Sequence, residues 1–168
     1  MNELFIRSIR IEDCNEFQSL LKQVDGETDF MLYGAGERVT NRRTTEKLIS
    51  SFLEAVNSNI LIAEMEHNLV GYGMVIGGKV NKNKHCASIV LGILRDYSGK
   101  GIGTTLLRSM EKWAVETGVK RIELTTITHN EAAVSLYKNH GFEIEGLKKR
   151  SLLIKGSFID EYYMAKLL

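Results

Sequence analysis

The sequence predicts an α+β fold: a mixed, mostly antiparallel central β-sheet of about seven strands, with helices on both faces. Three observations predict it. Apolar residues recur at strand period in some segments and at helical period in others. Three strand-like runs in the middle are joined by turns too short for anything but antiparallel pairing. A strand–helix–strand stretch over 86–127 then needs a crossover, which puts one parallel pair in the sheet.

Residues 4–11 alternate in polarity and read as a strand. Asp13 stands three residues before Glu16 as a capping-box start, and Phe17, Leu20, Leu21 and Val24 follow at helical spacing, giving a helix over 14–24. Residues 25–43 are irregular and carry Gly26, Gly34 and Gly36. Thr44 or Thr45 opens a second helix with a stripe of Leu48, Ile49, Phe52, Leu53 and Val56. Strands follow at about 60–66, 69–79 and 86–95, with a tight turn at His67-Asn68 and another over 81–84. The run SGKGIG at 98–103 leads into a helix bearing Ile102, Leu106, Leu107, Met110, Trp113 and Ala114, stopped by Gly118. A strand at 120–127, a helix at 131–139 and two strands at about 142–154 and 158–167 complete the order.

With 168 residues, 43% of them hydrophobic, the chain has enough material for one core, so one domain over 1–168 is expected. The net charge of +1 lacks the basic excess of a nucleic-acid binder. No apolar run approaches the roughly 20 residues of a membrane span, and the N-terminus does not read as a signal peptide. Two cysteines, Cys14 and Cys86, make neither a disulfide framework nor a metal-ligand spacing, so no metal is expected, and a reducing cytoplasm fits best.

The stretch VLGILRDYSGKGIGTTLL, 90–107, carries the most chemistry. An apolar strand ends in Gly99, Gly101 and Gly103, and a helix begins at once. Glycines let a ligand approach the backbone. The first helical N–H groups have no internal partner, and the helix dipole adds about half a positive charge there. Together they suit a phosphate. The spacing is neither the GxxxxGK[ST] loop nor the GxGxxG fingerprint, which leaves the pyrophosphate of coenzyme A as the best ligand.

This segment resembles the central motif of the GNAT acetyltransferase superfamily, [QR]-x-x-G-x-[GA]. Gly101 and Gly103 match it, while Ser98 stands where the family usually has Gln or Arg. Residues 130–142, NEAAVSLYKNHGF, resemble the later motif N-x-x-A-x-x-L-Y-x-x-x-G-F at every fixed position. The resemblance implies acetyl-CoA as acyl donor, held by Leu91, Gly92 and Ile93 on the strand and by Ser98, Gly99, Lys100, Gly101, Ile102, Gly103 and Thr104 at the loop. It also implies Asn130 near the pantetheine and as a helix cap, and Lys100 and Lys138 as neighbours of the CoA phosphates. Tyr137 would point at the CoA sulfur, where a hydroxyl can protonate the departing thiolate. The family's strand before the loop bulges, which implies a bulge at Leu91 to Ile93, eased by Gly92, with a backbone N–H serving as oxyanion donor.

The acceptor side needs a base, since an alkylammonium with a pKa of about 10.4 is almost wholly protonated at pH 7. Glu123 in RIELTT is the expected base by its match to family members. Asp160 and Glu161, and Glu27 and Asp29 in the early loop, are alternative acids for orienting a cationic substrate. Acetyl transfer is expected to be direct, because Cys86 lies about 23 Å along the strand from Ile93. His129 and His140 read as structural or solvated, and Lys79, Lys82 and Lys84 as a solvated turn. The expected reaction is transfer from acetyl-CoA to a primary amine: a protein N-terminus, a polyamine or a small amino compound. The competing readings are a non-catalytic acyl-CoA-binding regulatory module, a nucleotide-binding protein and an interaction domain. The resemblance also admits a homodimer through the C-terminal strands.

Overall fold

The computed structural model describes residues 3–168. Its elements are β1 (Leu4–Ser8), α1 (Cys14–Glu27), α2 (Arg42–Glu54), β2 (Asn59–Met65), β3 (Asn68–Gly77), β4 (Cys86–Ile93), α3 (Ile102–Glu116), β5 (Arg121–Ile127), α4 (Glu131–Asn139), β6 (Glu143–Ile154) and β7 (Ser157–Leu167). The seven strands form one sheet in the order β1-β2-β3-β4-β5-β7-β6. Only β4–β5 is parallel among these neighbours, as the crossover through α3 requires.

Alternation along the strands gives the sheet two apolar faces. On one, Phe17, Leu20, Leu21 and Ile49 from α1 and α2 pack over Ile60, Ile62, Tyr72 and Met74. On the other, Ile102, Leu106, Leu107 and Met110 of α3 and Tyr137 of α4 cover Val75, Ile89, Ile122 and Met164. The expected layering is therefore present, with helices on both faces. No helix among the described residues is long and apolar enough to cross a membrane.

Several local expectations shift, each for a readable reason. β1 stops at Ser8 and a 3₁₀ turn over Ile11–Asp13 precedes α1. Asp13 does not cap α1 with Glu16. Its carboxylate accepts two hydrogen bonds from Arg7, both 2.8 Å, and one from the Arg10 N–H at 2.7 Å. The opening of α2 moves upstream because Asn41 accepts from the Thr44 N–H at 2.9 Å and the Thr44 hydroxyl accepts the Asn41 N–H. The β2–β3 turn falls on Glu66-His67, both at positive φ (50° and 64°), as a two-residue hairpin turn demands.

Candidate active site

The β4–β5 ladder has only three rungs, Cys86↔Arg121, Ala87↔Ile122 and Ser88↔Glu123. Beyond them the strands diverge, and a cavity of about 990 Å³ occupies the gap. Its walls include Leu91, Asn130 and Tyr137 from the α3/α4 side and Tyr72, Arg38, Glu123 and Glu161 from the α1/α2 side. The cavity therefore runs through the sheet.

The expected bulge at Leu91–Ile93 is absent. The β3–β4 register runs without interruption from Gly71↔Ile93 to Gly77↔Ala87. The opening comes from β5 leaning away instead. Leu94 N–H donates to Val70 and the Cys86 carbonyl accepts from Gly78, so this parity of β4 faces β3. Alternation turns the N–H groups of Leu91 and Ile93 toward the gap, where no strand pairs with them. Gly92 belongs to the parity facing β3. A Cβ there would lie 2.6 Å from Tyr72 Cε1, so its role is to admit the Tyr72 ring.

The loop behaves as its glycines require. Gly99 and Gly101 have φ of +74° and +81°, a region L side chains rarely adopt. Gly101 is the N-cap of α3 and no side chain caps it, leaving the N–H groups of Ile102, Gly103 and Thr104 free of helical partners. Gly103 lies where a Cβ would press on Ile93 and Leu136 at 3.3 Å each. An uncapped helix start beside an unpaired strand edge fits a phosphate-bearing, amide-containing ligand such as CoA. Ser98 turns away from this cradle, its hydroxyl donating to the Leu94 carbonyl at 3.3 Å. Lys100 sits over the Tyr97 ring at 5.0 Å, and Lys138 is exposed on α4.

Asn130 caps α4, accepting the Ala133 N–H at 3.3 Å. Two turns on, Tyr137 packs against Phe142 with ring centroids 5.5 Å apart. Burial pushes its phenol up to about 12, so it stays protonated at neutral pH and can donate a proton.

The structure brings Glu123 to the cavity, but with two obstacles to its expected role. Its carboxylate accepts from Arg121 Nε at 2.9 Å, and it stands level with Ser88, four residues below Gly92. At strand rise that is roughly 13 Å. The alternative acids separate. Glu27 accepts the Arg95 N–H at 2.7 Å, Asp29 pairs with Lys155 at 2.5 Å, and Asp160 accepts the Arg150 N–H at 2.7 Å. Glu161 alone among these four lines the cavity. It is 8% exposed. Lys148 Nζ stands 3.4 Å from its Oε2, within ion-pair range but without hydrogen-bond alignment.

Sequence reasoning missed three cavity groups. Arg38, from the irregular loop, donates from Nε to Asp25 at 2.6 Å and from a terminal nitrogen at 3.1 Å, while Asp25 is 2% exposed. Tyr72 and Ser151 each carry a buried hydroxyl with no hydrogen-bond partner among the described residues. Only the Tyr72 position, an apolar strand residue between Gly71 and Gly73, carried a local signal. Cys14, Cys86, His129 and His140 lie outside the cavity wall.

The family model for the acetyltransferase (GNAT) family matches residues 29–142. The L-amino acid N-acetyltransferase AaaT of Escherichia coli (strain K12) is 32% identical over 110 residues, 63% of this chain and 66% of that protein. The chain thus spans slightly less than two thirds of that relative's length. The crystal structure of a GNAT-family acetyltransferase from Streptococcus pneumoniae superposes with a TM-score of 0.96 at 32% identity, covering 99% of this chain and 100% of that one. YncA of Salmonella typhimurium, solved with its cofactor acetyl-CoA, shares the fold at a TM-score of 0.88 and 16% identity, covering 99% and 94% of the two chains.

Proposed function

Since the chain belongs to the GNAT acetyltransferase family and is an acyl-CoA-dependent acetyltransferase, we propose that it transfers acetyl directly to the primary amine of a small amino compound that also carries a carboxylate. The observation that carries this is the charge balance of the acceptor half of the cavity. Arg38, Arg121 and Lys148 line it together with Glu123, Glu145 and Glu161. A site for a polyamine would be expected to carry an excess of acids, whereas paired signs suit a zwitterion. The amino-acid activity in the name of the E. coli relative points the same way.

In this reading acetyl-CoA supplies the acyl group as a thioester. The free N–H groups of Ile102, Gly103 and Thr104, with the backbone of 98–101, hold its pyrophosphate, and Lys100 and Lys138 stand near its phosphates. The N–H groups of Leu91 and Ile93 meet the pantetheine arm and the acetyl oxygen. Tyr137 delivers a proton to the departing sulfur. In this reading the enzyme works in the cytoplasm.

The test is titration calorimetry with acetyl-CoA, with ATP as control, followed by thiol release on L-alanine, an alanine-initiated hexapeptide and spermidine. Binding blocked by CoA and not by ATP, with turnover highest on the free amino acid, is the expected result. Preference for spermidine would overturn the acceptor class. Binding without turnover on any amine would favour the regulatory-module reading.

A further inference from the structure

Four buried side-chain polar atoms lack a hydrogen-bond partner among the described residues: Thr40 Oγ1, Tyr72 OH, Ser151 Oγ and Glu161 Oε2. The last three belong to residues of the cavity wall. Burying a polar group without a partner costs about 1–3 kcal/mol, and more when the group is charged. Three such groups around one cavity are explained if a ligand supplies what they lack.

Glu161 is the most demanding of them, because an ionised carboxylate can only accept. Its position along the sheet is also suited to the chemistry. β4 and β5 are last in register at Ser88↔Glu123, and Gly92 and Ile127 each lie four residues beyond that rung, on strands that have by then diverged. Ile127 pairs with Glu161 on β7. Directly opposed residues share a face, so Glu161 projects on the same face as Glu123, but at the level of Gly92. Lys148, opposite it on β6, does not complete a hydrogen bond to Oε2. The other charged or titratable groups on the acceptor side are Glu145 on β6, Arg121 and Glu123 on β5, Tyr72 on β3, Tyr33 and Arg38 on the loop and Tyr163 on β7.

We propose that Glu161 is the carboxylate that binds the ammonium of the acceptor and takes its proton. The assignment rests on the amine-acceptor reading above. Glu161 accepts one proton from R–NH3+, leaving R–NH2 with a free electron pair. The nitrogen forms the new C–N bond as the C–S bond breaks, Tyr137 gives its proton to the sulfur, and the second nitrogen proton leaves to solvent as the amide forms. Glu161 and Tyr137 return to their starting states by exchange with water. Glu123, paired with Arg121, lies at the far end of the cavity and takes no part in the proton transfer.

Glu161→Gln and Glu123→Gln should be compared with the wild type on the same three amines, from pH 7 to pH 10. For Glu161→Gln, kcat/KM for the acceptor should fall at least tenfold at pH 7, with acetyl-CoA affinity unchanged. The deficit should shrink to within threefold above the acceptor's own pKa, where the free amine no longer needs a base. For Glu123→Gln, any deficit should be the same at pH 7 and at pH 10. A Glu161→Gln deficit that is absent or independent of pH, or a pH-dependent deficit in Glu123→Gln instead, would overturn the assignment. If Glu161→Gln does not fold, Glu161→Asp decides: the shortened carboxylate should lower kcat/KM for the acceptor at pH 7 and recover above the acceptor's pKa, and a deficit that is absent or independent of pH rejects the proposal. Lack of transfer by the wild type to any of the three amines defeats the acceptor reading itself, and this assignment with it, before a variant is made.

Discussion

Tyr137 and Tyr72 belong to opposite walls of the gap, and burial acts alike on both: each phenol is pushed up to about 12. A folded pKa raised above the unfolded value near 10 means that the folded state keeps a proton the unfolded state loses. The associated stability is complete below pH 10 and is lost between about pH 10 and pH 12, by up to about 1.4 kcal/mol per group per pH unit. Urea unfolding at pH 9, 10 and 11 should show this decline, and Tyr72→Phe should lessen it. At pH 7 the same substitution removes only an unpaired hydroxyl, so stability should stay level or rise by up to about 1 kcal/mol. Tyr137→Phe is different because the proposed reaction uses its hydroxyl as proton donor: kcat should drop at least about tenfold with acetyl-CoA binding retained, read by single-turnover thiol release beside calorimetry.

At the scale of elements, the glycines around the site divide by cause, and substitution separates them. Gly92→Ala would drive a Cβ into the rigid Tyr72 ring and should cost about 1–3 kcal/mol. Gly101→Ala meets open space but must hold φ of +81°, and should cost about 1 kcal/mol, with a larger fractional loss of CoA affinity than of stability. Denaturant titration and calorimetry on the two variants distinguish them. Local signals made much of this legible in advance. α4 runs over Glu131–Asn139 as read, because Asn130 caps it and Gly141, at φ of +84°, follows its end. The β4–α3 junction was equally plain. The Asp13 cap failed because Arg7, six residues upstream, takes both carboxylate oxygens, a competition invisible to a four-residue pattern. The bulge failed because it was carried over from relatives, while here the divergence of β5 opens the gap.

At the scale of the molecule, the acceptor half was nearly illegible, since it is assembled from residues far apart in sequence. Asp25 and Arg38 lie in a stretch with no period, yet they form a half-buried ion pair, the carboxylate enclosed and the guanidinium partly exposed, that fixes the loop against the end of α1. The pattern could name Glu161 only as one acid among several, because the placement of β7 between β5 and β6 comes from the sheet order and not from chain order. Arg38→Ala should destabilise by about 1–3 kcal/mol by leaving the Asp25 carboxylate without its two hydrogen bonds, as measured by urea denaturation. The charge-neutral double variant Asp25→Asn with Arg38→Gln should cost less.

The three-rung ladder between β4 and β5 has one more consequence, for traffic. On the proposed reading, a passage through the sheet would give each substrate its own doorway, the thioester from the α3/α4 face and the amine from the α1/α2 face. Spent CoA and the acetylated product would then depart in opposite directions. Neither would have to wait behind the other, and no acetyl group would need to be parked on the protein between arrivals.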